Sequence, residues 1–168
     1  MSLFWAACVP GAAGTATPAA TPAATLPSVE LHNLDGAPTR LADAMAGRPT
    51  LVSLWATWCE ACQREFVPLG KLSERARAEG GWVVAVAVGE PRAEVARFVK
   101  DHGLHYDQLV DEEFQFADAL GQRRVPATLV LDAGGAIRHR GSDLDAAALD
   151  AFRTALSMQS TRAGSTQQ

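Results

Sequence analysis

The order of apolar runs predicts an α/β domain, with a central mixed sheet and helices on both faces. Three observations carry that expectation. Thr50 to Ala56 and Trp82 to Val88 are apolar throughout, as strands buried on both faces are. Residues between them carry apolar side chains at three- and four-residue spacing, so the two strands are joined by a helix and lie parallel. Near the end, Thr128 to Leu131 and Ala136 to Arg140 flank Asp132-Ala133-Gly134-Gly135, the pattern of an antiparallel hairpin. A parallel unit followed by such a hairpin gives a mixed sheet covered by helices.

Residues 9 to 27 are almost entirely Ala, Thr, Pro and Gly, which bury too little apolar surface to fold. Residues 1–27 are therefore read as a disordered tail and linker, residues 28–157 as the folded domain and residues 158–168 as a flexible polar tail. The domain opens with Val29 to Leu34 and a stretch around Thr39 to Leu41, a short hairpin turning at Asp35-Gly36. After the strand at 50–56, a helix is expected from Cys59 to Glu79, with Phe66, Leu69, Leu72 and Ala76 facing inward. Pro68 removes the bond to the Arg64 carbonyl and should bend this helix in its second or third turn. Gly80-Gly81 ends it. Pro91 starts a helix that runs to Gly103, with Val95, Phe98 and Val99 on its apolar side. A short strand near Tyr106 to Val110 and a helix from Glu113 to Leu120 precede the hairpin, and a helix from Leu144 to Leu156 closes the domain.

Composition narrows the function. At 168 residues, 48% apolar and 20% charged, the chain can bury one core. Its net charge of -4 supplies no basic field for phosphate backbones, so nucleic acid is not an expected partner. A monomer is expected. The three cysteines are too few for a disulfide scaffold, and two of them stand together in Cys59-Glu60-Ala61-Cys62. The run Leu3-Phe4-Trp5-Ala6-Ala7-Cys8 resembles the tail of a bacterial lipoprotein signal. That resemblance implies a lipid anchor at Cys8 and a place in the bacterial cell envelope, periplasmic or membrane-tethered. The competing reading is a disordered tail with a stray cysteine.

A strand ending in Trp55-Ala56-Thr57-Trp58 and turning into a helix at Cys59 puts that sulfur beside backbone N–H groups, here of Ala61 and Cys62, that lack helical partners. Such groups and the helix dipole lower a thiol pKa from about 8.5 and raise the thiolate fraction. Cys62, one turn on, is within disulfide reach and less exposed. Cys59 is thus the candidate nucleophile and Cys62 the resolving thiol. The rival use of the spacing is half a zinc site, but His32, His102, His105 and His139 are scattered and Cys8 is remote, so neither metal nor cofactor is expected.

Trp58-Cys59-Glu60-Ala61-Cys62 after an apolar strand, with Val125-Pro126-Ala127-Thr128 before a later one, resembles the thioredoxin superfamily. Within it, Trp55 to Glu60, Glu65-Phe66 and Val86-Ala87-Val88-Gly89-Glu90 resemble the TlpA/ResA-like reductases of the bacterial cell envelope. Ala61 stands where that group often has proline, and Arg124 where glycine usually precedes Val125. The resemblance implies a thioredoxin-like three-layer fold. It also implies a cis Pro126 facing the cysteines, with the Val125 backbone free to pair with an extended substrate; an ordinary proline at the start of a strand is the alternative. Trp58 is expected to shield the sulfur and line the docking surface, with a core tryptophan as the alternative. Glu65 is implied to be a buried carboxylate that tunes cysteine protonation, against an exposed glutamate near the helix start. Glu60 is expected to face solvent. Both carboxylates oppose thiolate formation and favour a reductant. The implied function is a protein-disulfide reductase working on extracytoplasmic proteins. Apocytochrome c is the implied substrate and a membrane thiol–disulfide carrier the electron donor. A peroxiredoxin-like peroxidase is disfavoured because Leu54, not proline, lies five residues before Cys59. A non-catalytic binding module is the remaining alternative.

Overall fold

The computed structural model describes residues 26–165. The chain forms β1 (Glu30–Asn33), β2 (Pro38–Arg40), α1 (Leu41–Met45), β3 (Thr50–Trp55), α2 (Glu60–Gln63), α3 (Phe66–Ala78) and β4 (Trp82–Val88). It continues through α4 (Arg92–Asp101), β5 (Asp107–Asp111), α5 (Gln115–Ala119), β6 (Ala127–Leu131), β7 (Ile137–Gly141) and α6 (Ala146–Ser165). The seven strands lie in the order β2-β1-β5-β4-β3-β6-β7. β3, β4 and β5 are parallel, while β6, β7, β1 and β2 are added antiparallel.

The two apolar runs are the central strands, and every residue of β3 and β4 is buried. Alternation along β4 divides the core. Val83, Ala85 and Ala87 join Trp55, Phe66, Val95, Val99 and Phe152 under α3, α4 and α6. Trp82, Val84, Val86 and Val88 join Leu31, Leu41, Leu54 and Phe116 under α1 and α5. Two successive right-handed crossovers put α3 and α4 on the same face.

Five expectations change. The helix expected over 59–79 is two helices, broken at Arg64 and Glu65. Pro68 clashes with a continuous turn at Arg64, so the chain stops and restarts there, and the proline falls in the first turn of α3, where its missing N–H costs nothing. Leu41 begins α1 instead of ending a strand. β1 pairs with β5 as well as with β2. Leu26 is half-buried against the second core cluster, so ordered packing begins before residue 28. The tail expected over 158–168 instead continues α6 as far as Ser165. Residues 1–25, including Cys8 and most of the linker, lie outside the described residues.

Candidate active site

β3 ends at Trp55, and the chain turns through Ala56, Thr57 and Trp58 into Cys59, which is the N-cap of α2. Cys59 and Cys62 form a disulfide with Cα atoms 5.3 Å apart. The Cys62 N–H donates to Cys59 Sγ at 3.2 Å, so one unpaired donor of the helix start is aimed at the sulfur. The structure redistributes the electrostatic argument. α2 is a single turn, and a dipole of that length contributes little, so the local N–H contact carries most of the effect. Both sulfurs are in buried residues, Cys59 at 5% exposure and Cys62 at 1%.

The loop before Cys59 is clamped at Thr57. The Glu90 carboxylate accepts from the Thr57 N–H at 2.7 Å and from its hydroxyl, and Gln63 Nε2 donates to the Thr57 carbonyl at 3.1 Å. Glu90 is buried at the end of β4. Sequence reasoning used it as part of a family stretch and gave it no task. The signal was a carboxylate two residues after a buried strand, which requires a partner if it stays buried. Trp58, one residue beyond the clamp, is 71% exposed, whereas Trp55 fills the core at 1%. The core alternative for Trp58 is therefore excluded.

The Val125–Pro126 peptide is cis. Pairing of Leu54 with Ala127 sets Pro126 alongside Trp55, at the end of β3 that leads to the cysteines. Val125 packs against both core clusters, one of which contains Cys59 and Cys62. Among the described residues its N–H and carbonyl have no backbone partner.

Glu65 lies in the break between α2 and α3 and is half-buried. Its Oε1 accepts the Leu144 N–H at 2.9 Å, while Oε2 is buried without a partner. Burial pushes its carboxyl above the ordinary range; the Leu144 N–H pulls it down, Asp143 adds to the rise and Arg64 opposes it. The geometry therefore departs from that of a solvated surface glutamate. Glu60 is exposed. Among the described residues no three His, Cys, Asp or Glu side chains gather in a metal-binding arrangement.

A mixed sheet with a disulfide-forming Cys-X-X-Cys pair at a strand end, next to a cis-proline loop, defines a protein of the thioredoxin-like fold. Residues 13–152 match the family described as Redoxin, and the chain belongs to that family. It is similar to the thiol-disulfide oxidoreductase ResA of Geobacillus thermodenitrificans, with 32% identity over 114 residues, 68% of this chain and 65% of that protein. The chain thus spans just under two thirds of that relative's length. Among solved structures, it resembles a putative thiol:disulfide interchange protein DsbE from Chlorobium tepidum, with a TM-score of 0.70 and 22% identity over 79% of this chain and 95% of the other. It also resembles a secreted thiol-disulfide isomerase from Corynebacterium glutamicum, with a TM-score of 0.68 and 26% identity over 79% and 85% of the two chains.

Proposed function

We propose that this chain is a thiol–disulfide oxidoreductase that reduces protein disulfides outside the cytoplasm, with Cys59 as nucleophile and Cys62 as resolving thiol. The observation that carries the proposal is the pairing of Cys59 and Cys62 at the mouth of α2, with the Cys62 N–H directed at Cys59 Sγ. The name of the ResA relative, a thiol-disulfide oxidoreductase, supports thiol–disulfide chemistry, and that of the secreted thiol-disulfide isomerase supports a place outside the cytoplasm.

In the reduced protein the Cys59 thiolate attacks one sulfur of a substrate disulfide. The Cys59–substrate bond forms, the substrate disulfide breaks, and the departing substrate thiolate takes a proton. Cys62 then gives up its proton, with Glu65 as the acceptor, and attacks Cys59 Sγ. The Cys59–Cys62 bond forms, and the substrate leaves with both electrons. Trp58 and the unpaired backbone of Val125 form the docking surface for an extended segment, with Pro126 facing the cysteines. A negative Glu65 near the pair disfavours thiolate and sets the direction toward reduction. A membrane thiol–disulfide carrier restores the dithiol. The substrate class that the family resemblance favours is apocytochrome c, whose haem-attachment cysteines must stay reduced. Acylation at Cys8 would tether the domain to the envelope.

The test uses Cys62→Ser and Cys59→Ser, each with Cys8 replaced, in envelope extracts run on non-reducing gels. Cys62→Ser accumulates mixed disulfides, because intramolecular release is lost, whereas Cys59→Ser traps almost none. Equal trapping by both, or trapping by Cys59→Ser alone, overturns the assignment. Mass spectrometry of the trapped partners names the substrate.

A further inference from the structure

The segment that brings Val125 to the cysteine pair carries two consecutive arginines, and their surroundings differ. Arg123 donates to Asp118 Oδ1 at 2.9 Å, an exposed ion pair between this segment and α5. Arg124 is exposed too, but among the described residues its guanidinium has no ion-pair or hydrogen-bond partner. Its backbone, by contrast, is held. Gln122 donates its N–H to the Ala117 carbonyl at 2.8 Å and its Nε2 to the Arg124 carbonyl at 3.0 Å. An uncommitted cation thus stands on a tethered base, directly before the residue whose N–H and carbonyl are open to a substrate strand.

Val125 ties this position to the reacting sulfurs. It packs against the core cluster that contains Cys59 and Cys62, and Ala127, two residues on, pairs with Leu54 at the end of β3 that leads to Cys59. Preceding a proline, Val125 is kept extended, so a segment laid along it for attack by Cys59 passes within one residue of Arg124. Stability does not account for an arginine there. Its side chain buries nothing and bonds to nothing, and the carbonyl bond to Gln122 is open to any residue. The other charges around the site lie elsewhere or are engaged: Glu60 and Arg64 are exposed on the α2 side, Glu112 is paired with Arg92, and Asp118 with Arg123. From Gly121 to Pro126 the one uncommitted charge is Arg124, in a chain whose net charge is -4.

We propose that Arg124 is a specificity-determining residue, selecting protein disulfides in which an acidic side chain flanks the attacked cysteine. The proposal rests on the reading of Cys59 as nucleophile and of the Val125 backbone as the docking edge. A glutamate or aspartate beside that cysteine accepts from the guanidinium as the mixed disulfide forms, and the planar fork of arginine suits a carboxylate. A neutral neighbour gains nothing and a basic one is repelled, so charge discriminates between substrates that share the same disulfide chemistry.

The test uses the full chain with Cys8 and Cys62 replaced by serine, so that Cys59 alone reacts. Its substrates are three peptides, identical except for Glu, Gln or Lys on both sides of a single cysteine, each activated as a mixed disulfide with thionitrobenzoate. Cys59 attacks the peptide sulfur, the new disulfide forms, and the low-pKa thionitrobenzoate thiolate leaves and is followed by its absorbance. At low ionic strength the ratio of the Glu-peptide rate to the Lys-peptide rate falls about threefold in Arg124→Gln and about tenfold in Arg124→Glu, and about 0.5 M salt shrinks both changes. Arg123→Gln, which removes the paired cation next door, leaves the ratio near that of the parent. An unchanged ratio in Arg124→Glu overturns the proposal. So does an equal change in Arg123→Gln, which would reflect the general field, or an equal slowing with all three peptides, which would place the effect on Cys59 itself. Release that persists when Cys59 is also replaced overturns the underlying reading of the nucleophile, a failure distinct from any change in the ratio.

Discussion

Thr57 is a small side chain that ties down the loop leading to Cys59, the proposed nucleophile. Its N–H and hydroxyl meet Glu90 and its carbonyl meets Gln63, so each of its polar groups is committed to one geometry. The exposed Trp58 and the sulfur of Cys59 follow immediately and inherit that geometry. Glu90→Ala leaves the Thr57 N–H without its acceptor in a partly buried site, at a cost of about 1–3 kcal/mol. Urea unfolding should register that loss. The turnover of insulin disulfides should fall further than the change in the folded fraction explains, because the loop carrying Trp58 and Cys59 is no longer held. A variant that loses stability but keeps its full rate would show that the clamp does not position the nucleophile. Cys59, Cys62 and Pro126 were legible in the sequence because their spacing and residue types are local. Glu90 was not, because its partner is 33 residues away and no periodicity records a side-chain bond.

Among the elements, strands were legible and helix breaks were not. Continuous apolar runs define β3 and β4 wherever their neighbours lie, whereas the break at Arg64 and Glu65 depends on how Pro68 fits against the preceding turn. The connection from β4 to α4 carries a second constraint. Gly89 has φ 70 and donates its N–H to the Asp111 carbonyl at 2.8 Å, directly before Glu90. A Cβ there would lie 3.2 Å from Phe114 Cδ2, and Phe114 itself has φ 61. Gly89→Ala therefore combines a left-handed backbone cost of about 1–2 kcal/mol with crowding against an aromatic ring. Gly47, at φ 73 with nothing within 4 Å of an added Cβ, isolates the backbone part. Gly89→Ala should destabilise the domain more than Gly47→Ala in chemical denaturation, and only Gly89→Ala should slow disulfide reduction. Equal losses would mean that Phe114 yields freely.

At the scale of the whole molecule, the candidate site draws on segments that the sequence order keeps apart. The Leu144 N–H reaches Glu65 across 79 residues and ties the start of α6 to the break beside the cysteines. Such a link leaves no trace in composition or pattern, and the sequence accordingly left Glu65 between a buried and a surface role. Its partial burial makes the stability of the entire domain depend on its proton. Burial raises the Glu65 carboxyl in the native state, against the Leu144 N–H, whereas in the unfolded chain it titrates normally. As pH rises through the ordinary carboxylate range, the unfolded chain releases this proton before the native state does. The native state then binds more protons, and the contribution of Glu65 to stability falls with pH until the native carboxyl has also ionised. Asp132 acts in the opposite sense. Burial pushes it up, but Arg138 and the N–H groups of Ala136 and Gly134 outweigh that and hold it low, so its contribution is lost as pH falls. Comparing the parent with Glu65→Gln removes Asp132 and every other shared group from the balance, and the glutamine oxygen can still accept from Leu144. Measured by urea unfolding of the oxidised proteins from about pH 4 to pH 8, the stability of the parent relative to the variant should be greatest at the acid end. It should fall as pH rises and then level off. A difference that stays constant with pH would place Glu65 in full solvent contact, and a difference that grows with pH would mean its charged form is the one the fold stabilises.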